Sequence, residues 1–279
     1  MTSEEADGGV AVITGGASGF GLALGERCAA KGFRVVLLDR DGERAQVAAA
    51  TLAADHGSEA VGMGTDVADG DAVSAAAQLV GERFGRADVV ISNVGVQLLG
   101  SLGRFTDEEW RWVLDVNVIG SARVARAFVP LLRRAPRGRI AFTTSSSVLD
   151  PASRMAAYQA SKFAVWGLAE TLRLELAPDG INVSVIFPSG MITRHLETSS
   201  EAQPEHLSRP IGDEEDFTAM RASNPGMVES VLAPDEAARH VIDAILADEP
   251  YVVTHGDLRA AITGRSKRLE HAAEAALER

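Results

Sequence analysis

The sequence is poor in cysteine, in aromatic residues and in positive charge, and it has no long hydrophobic run. Cys28 is the single cysteine in 279 residues, so an internal disulfide is excluded. Its place in the apolar run 22–30 favours a buried helix residue over a reactive thiol. The six histidines show no spacing typical of metal ligands, and we therefore expect no bound metal.

Charge and hydropathy narrow the range of partners. The formal net charge of -12 argues against nucleic acid or an anionic membrane surface as the main partner. No apolar run reaches the roughly 20 residues that span a bilayer. Residues 1–9 are acidic where a signal peptide would be basic. We expect a cytoplasmic protein that acts on a small molecule.

The chain alternates short β-branched runs with longer alanine-rich stretches of helical periodicity. Such alternation implies right-handed βαβ units and a parallel sheet covered on both faces. We therefore expect an α/β fold with a Rossmann-like doubly wound parallel sheet of about seven strands in a single domain. The expected strands are 10–14, 34–39, 60–65, 88–93, 139–144 and 182–187, and the run 251–254 can add a seventh.

The regular pattern stops between residues 189 and 232, where prolines and an acidic cluster replace it. A loop of this length is typical of a lid over a binding site, and a disordered surface loop is the alternative. Regular structure resumes with an expected helix over 234–247, which Pro234 opens. The tail has helical composition; we prefer docking on the body or on a partner subunit, and a solvated helix is the alternative.

The first expected strand runs into a glycine-rich turn, residues 14–21, and a helix follows at once. Gly15, Gly19 and Gly21 allow a tight turn, a close approach of the backbone to a diphosphate and close packing of helix on strand. Ser18 and Phe20 belong to the same turn, and the helix N-terminus favours negative charge. Its location between first strand and first helix predicts a dinucleotide site.

The second expected strand ends in Asp39, which predicts a preference for NAD. A carboxylate at this position accepts hydrogen bonds from the adenosine ribose hydroxyls and repels a 2′-phosphate. Arg40 complicates the assignment because a guanidinium there could pair with that phosphate. NADP is therefore kept as the less favoured cofactor, with a solvated turn residue as the other role of Arg40.

Tyr158 and Lys162 lie four residues apart, and Ser145 lies thirteen residues before the tyrosine. Residues four apart share one face of a helix. Moving a tyrosine pKa from about 10 to near neutrality takes about 4 kcal/mol. An ammonium about 4 Å away supplies about that much at an effective dielectric near 20. The pair thus predicts an acid-base function, with the serine hydroxyl donating to a carbonyl or alkoxide oxygen.

Together these motifs resemble the main group of the short-chain dehydrogenase/reductase family, with its TGxxxGxG loop and YxxxK pair. The resemblance covers about residues 10–193 and extends more loosely to the seventh strand. It implies hydride transfer between a nicotinamide ring and a carbinol or carbonyl carbon. The catalytic residues would be Asn117, Ser145, Tyr158 and Lys162. Asn117 would hold a water that links the lysine to solvent, and Lys162 would lower the tyrosine pKa and bind the nicotinamide ribose.

The resemblance also implies cofactor contacts beyond the glycine loop. Asp66 and Val67 would meet the adenine, and residues 92–95 stand where the family has its NNAG turn. Residues 188–193 follow the sixth strand, with Ser189 where the family has glycine. The full implied cofactor set is Gly15, Ser18, Gly19, Phe20, Gly21, Asp39, Arg40, Asp66, Val67, Asn93, Gly95, Tyr158, Lys162, Pro188, Met191 and Thr193.

The expected pocket is largely apolar, which favours a medium-sized aryl or alicyclic secondary alcohol or its ketone. An NAD preference points to alcohol oxidation as the working direction. The long loop and residues 254–256 loosely resemble bacterial family members that oxidise benzylic alcohols. The expected substrate-binding residues are Ser145, Gln97, Leu149, Met155 and Met191.

Two other functions stay open, an NADPH-dependent ketoreductase of a biosynthetic pathway and a non-catalytic NAD-binding sensor. The helices around 110–128 and 158–176 resemble the family's subunit interface, so we expect a homodimer or homotetramer. The expected organisation is a flexible N-terminus over 1–9, a dinucleotide-binding catalytic domain over 10–255 with a substrate loop at 189–232, and a helical tail over 256–279.

Overall fold

A seven-stranded parallel sheet forms the centre of the computed structural model, which describes residues 8–207 and 209–277. Residues 1–7, and with them most of the expected flexible N-terminus, lie outside the described residues. The strands are β1 Val10–Thr14, β2 Arg34–Asp39, β3 Ala60–Gly64, β4 Val89–Ser92, β5 Arg139–Thr143, β6 Asn182–Phe187 and β7 Tyr251–Val253. Their order is β3-β2-β1-β4-β5-β6-β7, which confirms the expected α/β fold.

The sheet is buried on both faces because its strands are almost wholly apolar. Every residue of β1 is buried, and Val12 pairs in register with Val36 on one side and Val90 on the other. Successive side chains point to opposite faces. Val12 therefore packs in one core with Phe128, and Ile13 packs in the other core on the opposite face.

Helices cover both faces of the sheet. The longer ones are α1 Gly19–Ala30, α2 Gly42–His56, α3 Gly70–Phe84, α4 Asp107–Leu114, α5 Gly120–Leu132 and α6 Ala156–Leu176. A π-helical turn, Asp115–Ile119, joins α4 to α5. Cys28 is buried in α1, as expected from its apolar surroundings, and burial raises the pKa of its thiol to about 12.

The strand order reverses between β1 and β4, the neighbours at the centre of the sheet. In doubly wound sheets, ligands bind beside this switch point, in the crevice at the carboxyl ends of the strands. All seven strands are parallel, so their carboxyl ends meet at one edge. The residues that the sequence places after each strand are therefore brought together there.

The stretch 189–232 contains regular structure that its composition does not suggest. Its described residues form three short α-helices, α7 His195–Glu201, α8 Glu214–Ser223 and α9 Gly226–Glu229, and a 3₁₀ turn, Glu205–Leu207. Helix α8 begins at a capping box, in which Asp213 and Asp216 each accept the backbone N–H of the other. The single helix expected over 234–247 is two helices, α10 Pro234–Ala237 and α11 Val241–Leu246.

The tail is the helix α12 Arg259–Leu277, and none of its described residues is buried. Arg265 connects it to the body: its guanidinium donates to the backbone oxygens of Val148 and Leu149, at 3.1 Å for the latter, and lies 5.4 Å from the ring centroid of Phe163. Most other residues of the described tail are exposed.

Candidate active site

A cavity of about 800 Å³ opens at the carboxyl edge of the sheet, beside the switch point. Its lining includes the glycine turn after β1, the end of β2, the segments after β3 and β4, residues 143–146 after β5, and residues 188–191 after β6. The stretch 193–204 supplies the opposite wall. The volume falls within the roughly 300–1,000 Å³ typical of cofactor and ligand sites.

The glycine turn has the backbone that a bound diphosphate requires. Gly15 and Gly19 have positive φ angles of 65° and 54°, which other residues rarely adopt. A Cβ atom on Gly21 would lie 2.0 Å from the carbonyl oxygen of Gly15, so only glycine fits there. Ser18 is the N-cap of α1 but makes no capping hydrogen bond, which leaves the first amides of the helix for an anion.

Asp39 lies at the end of β2 beside the glycine turn. One carboxylate oxygen accepts the N–H of Ala17 at 3.1 Å, and the other accepts the N–H of Asp41 at 3.1 Å. Both bonds fix the carboxylate in the cavity lining. Arg40 donates to the backbone oxygen of Glu201 at 2.7 Å, so its guanidinium contacts the end of α7.

The segment after β4 is tied to its neighbours through Asn93. Its side chain donates to the carbonyl of Thr14 at 3.2 Å and accepts from the hydroxyl of Thr143 at 3.1 Å. These bonds join the carboxyl ends of the central strands. Asp66 and Val67, after β3, also line the cavity, and one oxygen of Asp66 accepts the N–H of Ala68 at 2.8 Å.

The structure brings Ser145, Tyr158 and Lys162 together on the cavity wall, and all three are buried. The phenol of Tyr158 is hydrogen bonded to the side chain of Ser145. The ammonium of Lys162 lies 5.6 Å from the ring centroid of Tyr158 and donates to the carbonyl of Thr143 at 3.0 Å. The phenol, the ammonium and the serine hydroxyl are thus adjacent in one buried place. Such groups together can exchange a proton with a substrate oxygen and bind that oxygen.

Burial decides the pKa values of this group. It raises the pKa of Tyr158 to about 12, against which the Ser145 hydrogen bond acts, and it lowers the pKa of Lys162 to about 8. From the spacing alone, the ammonium was expected to bring the pKa of the tyrosine close to neutrality. Desolvation of the phenolate is instead the largest effect on this pKa, and it raises the pKa.

Asn117 lies in the π-helical turn and is fully buried. Its side chain forms two hydrogen bonds with the backbone of Val96: it accepts from the N–H at 2.8 Å and donates to the carbonyl at 2.9 Å. It also donates to the hydroxyl of Ser161 at 2.8 Å, one residue before Lys162 in α6. Asn117 therefore joins the segment after β4 to α6, and its part in a water relay stays a prediction. Single π-turns of this kind are frequent at functional sites.

Residues 188–193 are held by both neighbouring segments. The carbonyl of Pro188 accepts the N–H of Ser146 at 2.7 Å. Residues 254–256, which the sequence singled out, act from the other side. His255 bonds to the carbonyl of Gly190 at 2.9 Å, and the hydroxyl of Thr254 accepts the N–H of Ser189 at 3.3 Å. Thr193 faces the glycine turn, since a Cβ on Gly19 would lie 3.6 Å from its methyl group.

Four of the five expected substrate residues line the cavity, namely Ser145, Gln97, Met155 and Met191. Leu149 lies outside this lining and packs in the core that contains Phe128. Residues that the sequence argument did not select also line it, among them Trp112 and His195. His195 follows Thr193 by two positions, and only its place at the start of the expected lid could have drawn attention to it.

Among residues 8–207 and 209–277, histidine, cysteine and carboxylate side chains do not group in threes or more in a way that could hold a metal ion. The helices within the same ranges are all too short or too polar to cross a membrane.

Comparison with known proteins agrees with the geometry of the site. A family model described as short chain dehydrogenase matches residues 9–204. The 3-dehydrosphinganine reductase TSC10A of Arabidopsis thaliana is 35% identical over 240 residues, which cover 85% of this chain and 68% of that protein.

Two solved structures are similar over nearly the whole chain. A short chain dehydrogenase/reductase from Burkholderia phymatum in complex with NAD has a TM-score of 0.86 and 33% identity, with 96% of each chain covered. The L-sorbose reductase of Gluconobacter frateurii, complexed with NADPH and L-sorbose, has a TM-score of 0.76 and 26% identity, with 90% of this chain and 96% of that one covered. The chain belongs to the short-chain dehydrogenase/reductase family of oxidoreductases.

Proposed function

We propose that the protein interconverts a secondary alcohol and a ketone with NAD, on a medium-sized apolar substrate with an aryl or alicyclic body. The observation that carries this proposal is the buried group of Ser145, Tyr158 and Lys162 on the wall of a cavity that also contains the glycine turn and Asp39. Apolar lining residues such as Met155, Met191 and Trp112 suit an apolar substrate body.

The roles of the side chains follow from their positions. In the oxidative direction Tyr158 accepts the proton of the substrate hydroxyl while Ser145 donates a hydrogen bond to the same oxygen. Lys162 stabilises the phenolate through its positive charge, and its own position is set by the carbonyl of Thr143. When bound, NAD supplies the hydride acceptor. We assign the stretch 189–232 to the substrate side of the cavity.

The pKa of Tyr158 gives this mechanism a direction-dependent pH profile. A phenol with a pKa of about 12 is protonated at neutral pH, so it is ready to donate in ketone reduction and must first lose its proton in alcohol oxidation. We therefore expect the rate of oxidation to rise as the pH is raised from 7 toward 8 and to level off above that, because Lys162, with a pKa of about 8, then loses the charge that stabilises the phenolate. The rate of reduction should not rise.

Tyr158→Phe tests the chemistry directly. The variant keeps the ring and removes the hydroxyl, so turnover of secondary alcohols should be lost while NAD affinity, measured by titration, stays nearly unchanged. Undiminished turnover would contradict the mechanism. A wild-type protein that binds NAD and oxidises no member of a broad alcohol panel would instead support the non-catalytic sensor.

The preference for NAD rests on Asp39, whose carboxylate is held in the cavity where the family binds the adenosine ribose. Arg40 is engaged with the carbonyl of Glu201, which supports the same preference. Among similar structures one contains NAD and another NADPH, so a kinetic comparison is needed. We expect kcat/KM to be higher with NAD than with NADP. Asp39→Ser should lower the ratio of kcat/KM with NAD to kcat/KM with NADP. A higher value with NADP would favour the ketoreductase alternative.

We also propose a homodimer or homotetramer. The exposed face of α6 carries Phe163 and Leu174, whose relative exposures are 40% and 78%, beside Gly167. Apolar and small residues on one helix face suit packing against a second copy. Light scattering of the purified protein would give the mass in solution, and a monomer would contradict the proposal.

A further inference from the structure

His195 is the first residue of α7, and its ring packs beside the ring of Tyr158 on the wall of the cavity. The ring centroids of His195 and Tyr158 lie 6.2 Å apart with an angle of 59° between the planes. The Nε2 atom of His195 is buried and has no hydrogen-bond partner within the described residues. The residue lines the same cavity as Ser145 and Tyr158.

The imidazole is neutral at neutral pH. Burial, together with the nearby charge of Lys162, lowers its pKa from 6.5 to about 4. A neutral imidazole offers one donor and one acceptor, and either tautomer leaves an unused hydrogen-bonding group at Nε2. A buried polar atom that lacks a hydrogen-bond partner costs free energy of folding. A ligand that forms a hydrogen bond with Nε2 would remove this cost.

The position of His195 is set by its own turn. Its backbone N–H donates to the hydroxyl of Thr193 at 3.3 Å, and its carbonyl accepts from the hydroxyl of Thr198 at 3.2 Å. Both bonds use the backbone, so neither satisfies the imidazole. The ring is thereby placed next to Tyr158, and its Nε2 atom has no hydrogen-bond partner among the described residues.

We propose that His195 Nε2 binds a second oxygen of the substrate, on the carbon next to the reacting carbinol, and so selects substrates with a vicinal hydroxyl or carbonyl group. The reacting oxygen lies within hydrogen-bond reach of Tyr158 and Ser145 when bound. A separation of 6.2 Å between the two rings allows one small molecule to contact both. This proposal rests on the proposed function, because it concerns the same site.

The test uses two pairs of alcohols that differ by one hydroxyl: 1-phenylethanol with 1-phenyl-1,2-ethanediol, and cyclohexanol with trans-cyclohexane-1,2-diol. The wild-type protein, His195→Leu and His195→Gln are assayed with NAD by the appearance of reduced nicotinamide. Leucine removes the hydrogen-bonding group, and glutamine places an amide near the position of Nε2.

We expect the wild-type protein to have the higher kcat/KM for the diol of at least one pair. In His195→Leu the ratio of diol to mono-alcohol should fall by about tenfold or more, mainly through KM, because one hydrogen bond is worth about that factor. His195→Gln should restore part of the ratio. A general effect of either substitution on the site acts on both members of a pair and therefore cancels in this ratio.

A ratio that is unchanged in His195→Leu overturns the proposal, and so does an equal loss on both members of a pair, which would indicate a general effect on the site. A wild-type protein that oxidises none of the four alcohols, while binding NAD, overturns the proposal together with the function on which it rests. If His195→Leu fails to fold, NMR of the wild-type protein labelled at its histidines decides. The His195 resonance, assigned with His195→Gln, should move with the diol and not with the mono-alcohol, and equal responses overturn the proposal.

Discussion

Replacing Gly95 by alanine tests how far the reaction depends on the position of the Lys162 ammonium. A Cβ atom at residue 95 would lie 2.8 Å from Nζ and 3.4 Å from Cε of Lys162. Ordinary non-bonded contacts between such atoms begin at about 3.5 Å. The ammonium must therefore move by about 0.7 Å, since the new methyl group is attached to the backbone and the lysine end is the flexible partner.

This displacement should affect rate far more than stability. The hydrogen bond from Lys162 Nζ to the carbonyl of Thr143, now 3.0 Å, would be stretched or lost. A misplacement of about 1 Å can cost about a hundredfold in rate, so we expect kcat/KM to fall by about tenfold to a hundredfold. Gly95 does not have a positive φ angle, so alanine causes no backbone strain there. Unfolding free energy should change by about 1 kcal/mol or less.

Gly264→Ala is the matched control. Gly264 lies in α12, outside the cavity lining, and a Cβ there would meet only the flexible end of Arg268, at an ordinary contact distance of 3.5 Å. Alanine is favoured over glycine inside a helix, so this variant should be more stable by up to about 1 kcal/mol and keep its kcat/KM. Steady-state oxidation of the best alcohol of the panel and urea unfolding give both quantities. Wild-type kcat/KM in a folded Gly95→Ala variant would refute the reasoning.

Three further predictions concern stability and the cofactor site. Because the pKa of His195 is lower in the folded protein, about 4, than in the unfolded chain, 6.5, the unfolded state binds more protons between these values. Unfolding free energy should therefore fall by about 2 kcal/mol from pH 7 to pH 5, and by less in His195→Gln, as measured by urea unfolding at both pH values. Asp216→Asn should lower stability by about 2 kcal/mol, since its fully buried carboxylate binds two arginines, whereas the exposed Asp213→Asn should change the urea midpoint little. His255→Leu removes the bond to Gly190 and should raise KM for NAD several-fold in steady-state assays, with kcat nearly unchanged.

The strands could be predicted because their signal is local. Each run of β-branched residues bounded by turn residues forms a strand, with bounds that agree within about one residue. The helix expected over 234–247 is divided between α10 and α11, and periodicity does not show a turn of this kind. The capping box of α8 and the short helices of 189–232 were not predicted either, because this stretch is rich in prolines and charges and short helices depend on packing rather than on local propensity.

The candidate site shows the same division between local and long-range information. The glycine turn, Asp39 and the pair Tyr158 and Lys162 are recognisable from spacing, and the structure places them around one cavity. The pKa of Tyr158 could not be predicted from the sequence, because it depends on how deeply the phenol is buried. The role proposed for His195 could not be predicted, because it depends on how the chain after β6 folds back beside Tyr158 in α6.

Ion pairs that lie away from the cavity hold the chain after β6 against the rest of the protein. Asp216 in α8 binds Arg104 at 3.1 Å and Arg154 at 3.4 Å, and Arg209 binds the buried carboxylate of Glu109 at the start of α4. Buried ion pairs contribute little net stability but penalise alternative arrangements, because opening them leaves charges unpaired. Gln203, which lines the cavity on the same stretch as His195, bonds to the backbone N–H and carbonyl of Arg209, so the ion pairs also hold the end of that stretch in place. A fixed polar partner discriminates between substrates by the cost of an unmade hydrogen bond, which is larger than the cost of a missing methylene group.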